Sequence, residues 1–185
     1  MKITIGLPTN RKIKPLTALS LMQLVFYSKH DYSFLISTKG FNTAENRNYI
    51  AAQAIKNGSD YLLLTDDDMI FEPEVLDRLL AHNKDIVGAI YNTRRGEISS
   101  PIIEYFDEKR PTELFKCGAL GGGLLLIKTK VFLKIKQPWF GYEWYDNGMV
   151  KMSNDWWFCY EARRAGYDIW ADSRLEVKHI GDYEY

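Results

Sequence analysis

Residues 61–65 read Tyr-Leu-Leu-Leu-Thr, an apolar run that ends abruptly on three adjacent carboxylates, Asp66, Asp67 and Asp68. A short continuous run of this kind fits a strand buried on both faces of a parallel sheet. Like charges crowded at a strand's end are costly unless a cation or water neutralises them. In extended backbone Asp66 and Asp68 project to one side and Asp67 to the other. The carboxyl edge of an open α/β sheet is where ligands bind. Two hard oxygens facing one way suit Mg²⁺ or Mn²⁺, with water and a substrate diphosphate in the remaining positions. The competing reading is a solvated loop or a helix start, and Glu72-Pro73-Glu74 does resemble the first turn of a following helix.

Alternation of strand and helix patterns frames that stretch. Lys2 to Leu7 predicts a first strand, and Pro15 opens a helix in which Leu16, Leu19, Met22 and Phe26 recur near helical spacing. Tyr32 to Ser37 is a second strand. Asn42 or Thr43 caps a helix that turns Ile50, Ala51, Ala54 and Ile55 inward and stops at Asn57-Gly58. After the Tyr61 strand come a helix with Val75, Leu76, Leu79 and Leu80 on one face and a strand from Ile86 to Tyr91. The expected fold is α/β, a doubly wound, mostly parallel but mixed sheet flanked by helices.

The second half changes character without a linker. Asn92 to Ser100 is polar and reads as a loop, and shorter strands follow at Pro101–Phe106 and Leu114–Lys116. Gly121-Gly122-Gly123 permits close backbone approach, either by another chain segment or by a ligand. A strand at Leu124–Ile127 and a short helix at Lys128–Ile135 precede an aromatic stretch with a turn at Asp146-Asn147-Gly148. Ser153 or Asn154 caps a helix that runs to Ala165 with Gly166 beyond its end, and strands at Ile169–Ala171 and Leu175–Ile180 close the chain. This reads as one domain spanning residues 1–185.

Composition narrows the function class. Lys plus Arg and Asp plus Glu both number 24, so net charge makes no case for nucleic acid. Cys117 and Cys159 lack metal-ligand spacing, which fits a reduced, cytoplasmic protein. Met1 leads directly into a strand and not a signal peptide, and no apolar run reaches transmembrane length, which leaves peripheral membrane contact open.

Four segments, in order, resemble the GT-A type glycosyltransferases of family 2. They are Leu7-Pro8-Thr9-Asn10-Arg11; Ala44-Glu45-Asn46-Arg47-Asn48; the D-x-D stretch Leu64-Thr65-Asp66-Asp67-Asp68; and Ser153-Asn154-Asp155-Trp156-Trp157-Phe158-Cys159 through Ala162-Arg163-Arg164-Ala165-Gly166-Tyr167 to Val177-Lys178-His179. The D-x-D is a weak signal alone, and the four together span nearly the whole chain. In size the chain resembles compact transferases of some viruses and microbial gene clusters.

The resemblance implies a metal-dependent transfer of a hexose from a nucleotide-diphosphate sugar to an acceptor hydroxyl. Residues 1–91 would form the nucleotide-binding half and residues 92–185 the acceptor and catalytic half. Asp68, Asp66 and His179 would serve the Mn²⁺ or Mg²⁺ that neutralises the leaving diphosphate. Asp155 would be the general base of an inverting displacement. Pro8, Thr9, Arg11, Ser37, Asn46, Arg47, Asp66 and Asp67 would contact the nucleotide, with Gly122, Gly123 and Trp156 near the sugar or acceptor. The Arg94-Arg95 loop would be a lid or acceptor contact.

Two departures matter. Asn154 stands where a glutamate often precedes the base, and Ser37-Thr38-Lys39 stands where an acidic residue often reads uracil, so UDP and GDP both stay open. Glycan, lipid and protein acceptors stay open too. As residues alone, Asp155 could simply cap its helix, and His30 and His82 read as surface residues. The alternatives are a degenerate sugar- or partner-binding domain and a nucleotidyltransferase. The latter usually shows a Gly-rich basic signature after the first strand, and residues 10–15 hold no glycine.

Overall fold

The computed structural model describes residues 1–9, 12–93, 103–106 and 113–181. The first half runs β1 (Lys2–Pro8), α1 (Pro15–Tyr27), β2 (Asp31–Ser37), α2 (Thr43–Lys56), β3 (Tyr61–Thr65), β4 (Met69–Phe71), α3 (Val75–Ala81) and β5 (Ile86–Ala89). It continues through β6 (Ile103–Glu104), β7 (Leu114–Cys117), β8 (Ala119–Leu120), β9 (Leu124–Lys128) and a 3-10 turn at Thr129–Leu133. The last elements are β10 (Glu143–Trp144), β11 (Val150–Met152), α4 (Asn154–Arg164), β12 (Ile169–Asp172) and β13 (Val177–His179).

Seven strands form one mixed sheet in the order β2-β1-β3-β9-β5-β12-β7. β1 pairs in parallel with β2 and β3, and β12 with β5, while β9 runs antiparallel between β3 and β5 and β7 antiparallel to β12. The expected mixed α/β sheet is therefore present: all strands but β9 and β7 run the same way, and β9 is inserted at its centre. All five residues of β3 are buried. Leu62 and Leu64 face a core shared with α2 and α4, and Tyr61 and Leu63 face one shared with α1 and α3. Period-two alternation with both faces covered explains why Tyr61–Thr65 reads as an unbroken apolar run.

Local chemistry sets the helix ends. Asn42 accepts from the Glu45 N–H at 3.0 Å and Glu45 accepts from the Phe41 N–H at 3.0 Å, a reciprocal cap that starts α2. Gly166, at φ 88°, ends α4 in the left-handed conformation that glycine adopts without strain. α1 departs from expectation. Its buried residues are Thr17, Ser20, Leu21 and Leu24, whereas Leu16, Leu19, Met22 and Phe26 are exposed. The small Ser20 lets β4 approach, and its hydroxyl accepts from the Phe71 N–H at 3.2 Å. The stripe with helical spacing is thus the outer one.

Asp172 is fully buried at the end of β12 and accepts from Arg174 Nε at 3.0 Å, from the Arg174 backbone at 2.9 Å and from His82 Nε2 at 2.8 Å. His82 is not a surface residue; it clasps the C-terminus of α3 to β12, and His30 likewise lies 3.2 Å from Asp77. Burial raises the Asp172 pKa, but bonds from Arg174 and His82 outweigh it and hold the carboxyl at about 2. Because the folded pKa lies below the unfolded 3.8, this stabilisation is present above pH 3.8 and lost as pH falls towards about 2. Asp172→Asn is expected to lower stability near neutral pH by about 1–3 kcal/mol. It should also flatten the acid limb of a pH series of urea denaturations.

Candidate functional site

The carboxyl ends of β1, β2 and β3 are laced together by short polar contacts. Thr9 donates its hydroxyl to Asp67, its backbone N–H reaches the Ser37 carbonyl at 3.0 Å, and the Lys14 N–H reaches the Asp67 carbonyl at 2.8 Å. Ser37 donates to Asn46 Oδ1 at 2.8 Å, and the same oxygen accepts from the Gly40 N–H at 2.9 Å. Pro8, Thr9, Ser37 and Asn46 are all buried. These residues therefore gather at one sheet edge, and the side chains of Thr9, Ser37, Asn46 and Asp67 brace one another there. Arg11 and the Arg94-Arg95 loop lie outside the described residues.

Arg47 projects from the first turns of α2 into the space between β3 and α4. Its Nη2 donates to Asp66 Oδ1 at 2.8 Å, its Nη1 donates to Asn154 Oδ1 at 2.6 Å, and Asp155 Oδ2 lies 3.8 Å from Nη1. The side chain is 3 % exposed. Burial works against its charge, but the carboxylates of Asp66 and Asp155 outweigh that penalty and hold the guanidinium pKa above its usual value. Burial conversely lifts the Asp66 pKa, with Arg47 opposing and Asp155 and Asp68 adding to the rise. Asp66 is thus held by an internal cation while Asp67 bonds Thr9. The three aspartates lie in the turn between β3 and β4 and not in the extended backbone expected from the sequence, so tertiary partners and not strand alternation separate them.

Asp155 sits in the first turn of α4, beneath Ser153. Its Oδ1 accepts from the Ser153 hydroxyl and from the Trp156 N–H at 3.0 Å, and its Oδ2 accepts from the Gly122 N–H at 3.0 Å. Ser153 is the N-cap by position, yet its hydroxyl is spent on this carboxylate. The glycines next to it are required by their neighbours. A Cβ on Gly122 would stand 2.5 Å from Arg47 Cζ, and one on Gly123 would stand 2.7 Å from the Tyr91 ring and hydroxyl. The close approach that Gly121-Gly122-Gly123 permits is made, at these two positions, by the chain's own side chains. Trp156, half-buried, packs its ring against the core below α4.

The third component is Asp68 with His179. The short β4–β13 ribbon pairs Met69 with His179, and the Ile180 N–H donates to the Asp68 carbonyl at 2.8 Å. This brings His179 Nε2 to 3.2 Å from Asp68 Oδ1, both side chains being less than a tenth exposed. His179 Nδ1 lies 3.1 Å from the Asn92 carbonyl, which can only accept, so this nitrogen carries the proton. Nε2 faces the carboxylate oxygen, to which it makes no well-aligned hydrogen bond. In the neutral ring this nitrogen presents a lone pair beside the carboxylate, an arrangement that a cation between or beside them would stabilise. An imidazole fixed by a backbone carbonyl, next to a carboxylate, is a donor set that fits Mn²⁺ or Mg²⁺. Among the described residues no group of three or more His, Cys, Asp or Glu side chains is arranged to hold a metal. Such an ion would take its remaining ligands from water and substrate.

Two residues not among the expected site residues complete the cluster. Asn154 is buried, and its Nδ2 donates to the Tyr142 hydroxyl at 3.0 Å while its carbonyl holds Arg47. Tyr91 accepts from the Gly123 N–H at 2.7 Å and packs edge-on against His179 at 5.5 Å. Burial, with Asp66 and Asp155 adding, keeps the Tyr91 phenol neutral well beyond its normal range. As a neutral amide, Asn154 leaves Arg47 shared by two carboxylates, Asp66 and Asp155.

No protein-family model matches this sequence, and no curated protein does. Solved structures do match. The A197 protein from STIV superposes with a TM-score of 0.66 at 17 % identity, covering 98 % of this chain and 87 % of that one. GalNAc-T7, in a crystal structure with UDP, GalNAc and Mn²⁺, superposes with a TM-score of 0.66 at 12 % identity over 97 % of this chain. This chain spans 44 % of the GalNAc-T7 chain. At these identities the likeness establishes the fold, which is GT-A-like.

Substitution of Arg47 tests this network most directly. Arg47→Met leaves Asp66 and Asp155 facing each other without a cation, and denaturant melts are expected to show a loss of about 3–5 kcal/mol.

Proposed function

We propose that this chain is a metal-dependent glycosyltransferase that moves a hexose from a UDP- or GDP-linked sugar to an acceptor hydroxyl, with inversion at the anomeric carbon. The observation that carries this reading is the convergence of three groups at the carboxyl edge of β3. These are the Asp68–His179 pair, the Asp66–Arg47–Asp155 chain and the braced ends of β1 and β2. A GT-A-like fold with these groups at that edge favours nucleotide-sugar chemistry over the other uses of an α/β sheet.

Residues 1–91 would bind the nucleotide and residues 92–185 the acceptor. Pro8, Thr9, Arg11, Ser37, Asn46 and Asp67 would form the nucleotide floor, the bonded pairs among them by fixing its shape. Asp68 and His179, with Asp66 beside them, would hold the divalent ion, which when bound neutralises charge on the departing diphosphate. Asp155 takes the proton of the acceptor hydroxyl as that oxygen bonds to the anomeric carbon, and the bond to the diphosphate oxygen breaks with its electron pair. The Ser153, Trp156 and Gly122 donors fix the orientation of this carboxylate, and Arg47 Nη1 lies 3.8 Å from it. Gly122, Gly123 and Trp156 would border the sugar or acceptor. The two buried, unbridged cysteines suit a cytoplasmic setting.

Thermal-shift measurements with UDP-, GDP- and dTDP-sugars, with and without Mn²⁺, test the reading. One nucleotide class is expected to raise Tm only with the metal, and Asp68→Asn is expected to remove that rise. A shift that survives in Asp68→Asn would point to a domain that binds sugar without metal chemistry. Asp155→Asn is expected to keep the donor shift while lowering product formation by at least about a hundredfold.

A further inference from the structure

α1 contains no charged side chain in its 13 residues and is apolar on both sides. Leu21 and Leu24 pack into the core, while Leu16, Leu19, Met22, Phe26 and Tyr27 are 44 %, 48 %, 59 %, 78 % and 57 % exposed. A helix with a second, largely apolar side needs an apolar neighbour there, and Gln23 is the one polar residue among the exposed residues of α1. The edge strand β2 adds Phe34 and Ile36, 48 % and 57 % exposed. By strand alternation they share the sheet face of Tyr32, which packs on the same core as Leu21 and Leu24. The unpartnered surfaces of helix and strand therefore lie on one side of the molecule. Together they exceed the scattered apolar residues expected of a water-facing surface.

Charge identifies what fits this surface. Exposed Lys12 and Lys14 precede the helix and exposed Lys29 follows it. Residues 12–31 hold three lysines (Lys12, Lys14 and Lys29) and one aspartate, Asp31, in a chain whose acidic and basic residues balance overall. A second copy docked two-fold through α1 would set these lysines against one another, since an isologous contact repeats the same patch on both sides. An anionic bilayer satisfies both features, with the apolar side chains at the acyl boundary and the lysines among the phosphates. The helix starts at the candidate site, where the Lys14 N–H is bonded to the Asp67 carbonyl at 2.8 Å, and runs about 20 Å from there.

We propose that the outer face of α1, with Phe34 and Ile36 of β2, docks this chain on the surface of an anionic phospholipid bilayer. The helix lies in the plane of the interface and the lysines at its two ends contact lipid phosphates. The proposal does not rest on the transferase reading, because docking is measured without donor or acceptor.

Flotation of the full chain with vesicles of phosphatidylcholine alone, and with about 30 % phosphatidylglycerol added, is the test. The wild type is expected to float with the anionic vesicles. Leu19→Ser combined with Phe26→Ser, two exposed positions whose change should leave Tm intact, is expected to cut partitioning at least about tenfold. Lys12→Glu combined with Lys29→Glu is expected to abolish the preference for anionic lipid. Wild-type protein that stays down with both vesicle types overturns the proposal, as does a Leu19→Ser/Phe26→Ser variant that floats like wild type. A wild-type dimer that this double variant dissociates, with no vesicle binding, would instead assign the surface to a second copy of the chain.

Discussion

One buried guanidinium holds the working edge of this molecule together. Arg47 is taken out of water at a cost that only close, well-aligned acceptors can offset, and it finds them on two other elements: Asp66 at the end of β3 and Asn154 at the start of α4. Asp155 completes the charge balance from 3.8 Å. The glycine at 122 is dictated by the same group, because a side chain there would occupy the guanidinium's volume. Helix α2, the sheet edge, the turn before β9 and helix α4 are thus fixed relative to one another by a single side chain.

A second constraint comes from the smallest sheet. β4 and β13 pair over only three residues, Met69–Phe71 with Val177–His179, yet this ribbon decides where the last histidine of the chain lies. The Asn92 carbonyl then sets its proton, and Tyr91 packs on its ring. Two side chains far apart in sequence, Asp68 and His179, are thereby brought within 3.2 Å of each other. The chain spans less than half of GalNAc-T7 and most of the STIV A197 protein, and it shares the fold of both.

The two sides of the sheet meet different demands. On one, α2 and α4 cover a core of Ile50, Leu62, Leu64, Phe158 and Phe140, and the helices present polar residues outward. On the other, α1 buries Leu21 and Leu24 and still presents leucine, methionine and phenylalanine to the outside. Packing of the sheet accounts for the first arrangement completely. It leaves the second unexplained unless something apolar and negatively charged lies against it.

Sequence alone determined the elements whose causes are local. The apolar run at Tyr61–Leu64, the cap at Asn42, the proline at the start of α1 and the glycine after α4 each act within a few residues of themselves. For that reason the strand–helix alternation and the α/β class were legible before any coordinates. The same holds for the gathering of Pro8, Thr9, Ser37 and Asp66–Asp68 at one sheet edge, since parallel strands joined by helices place their carboxyl ends together.

What tertiary structure alone decided depends on contacts between distant residues. Periodicity gives two apolar stripes on α1 and cannot say which one turns inward; the fit of Thr17 and Ser20 against the sheet and β4 does. The triple glycine permits a close approach without naming the visitor, and only the fold supplies Arg47 and Tyr91. His82 looks solitary until Asp172, at the end of a strand 90 residues away, arrives beside it. Asn154 looks like a helix cap until Arg47, 107 residues away, is found bonded to its side-chain carbonyl. Local sequence fixes what each segment can be, whereas long-range burial of charge and volume fixes which partners it meets.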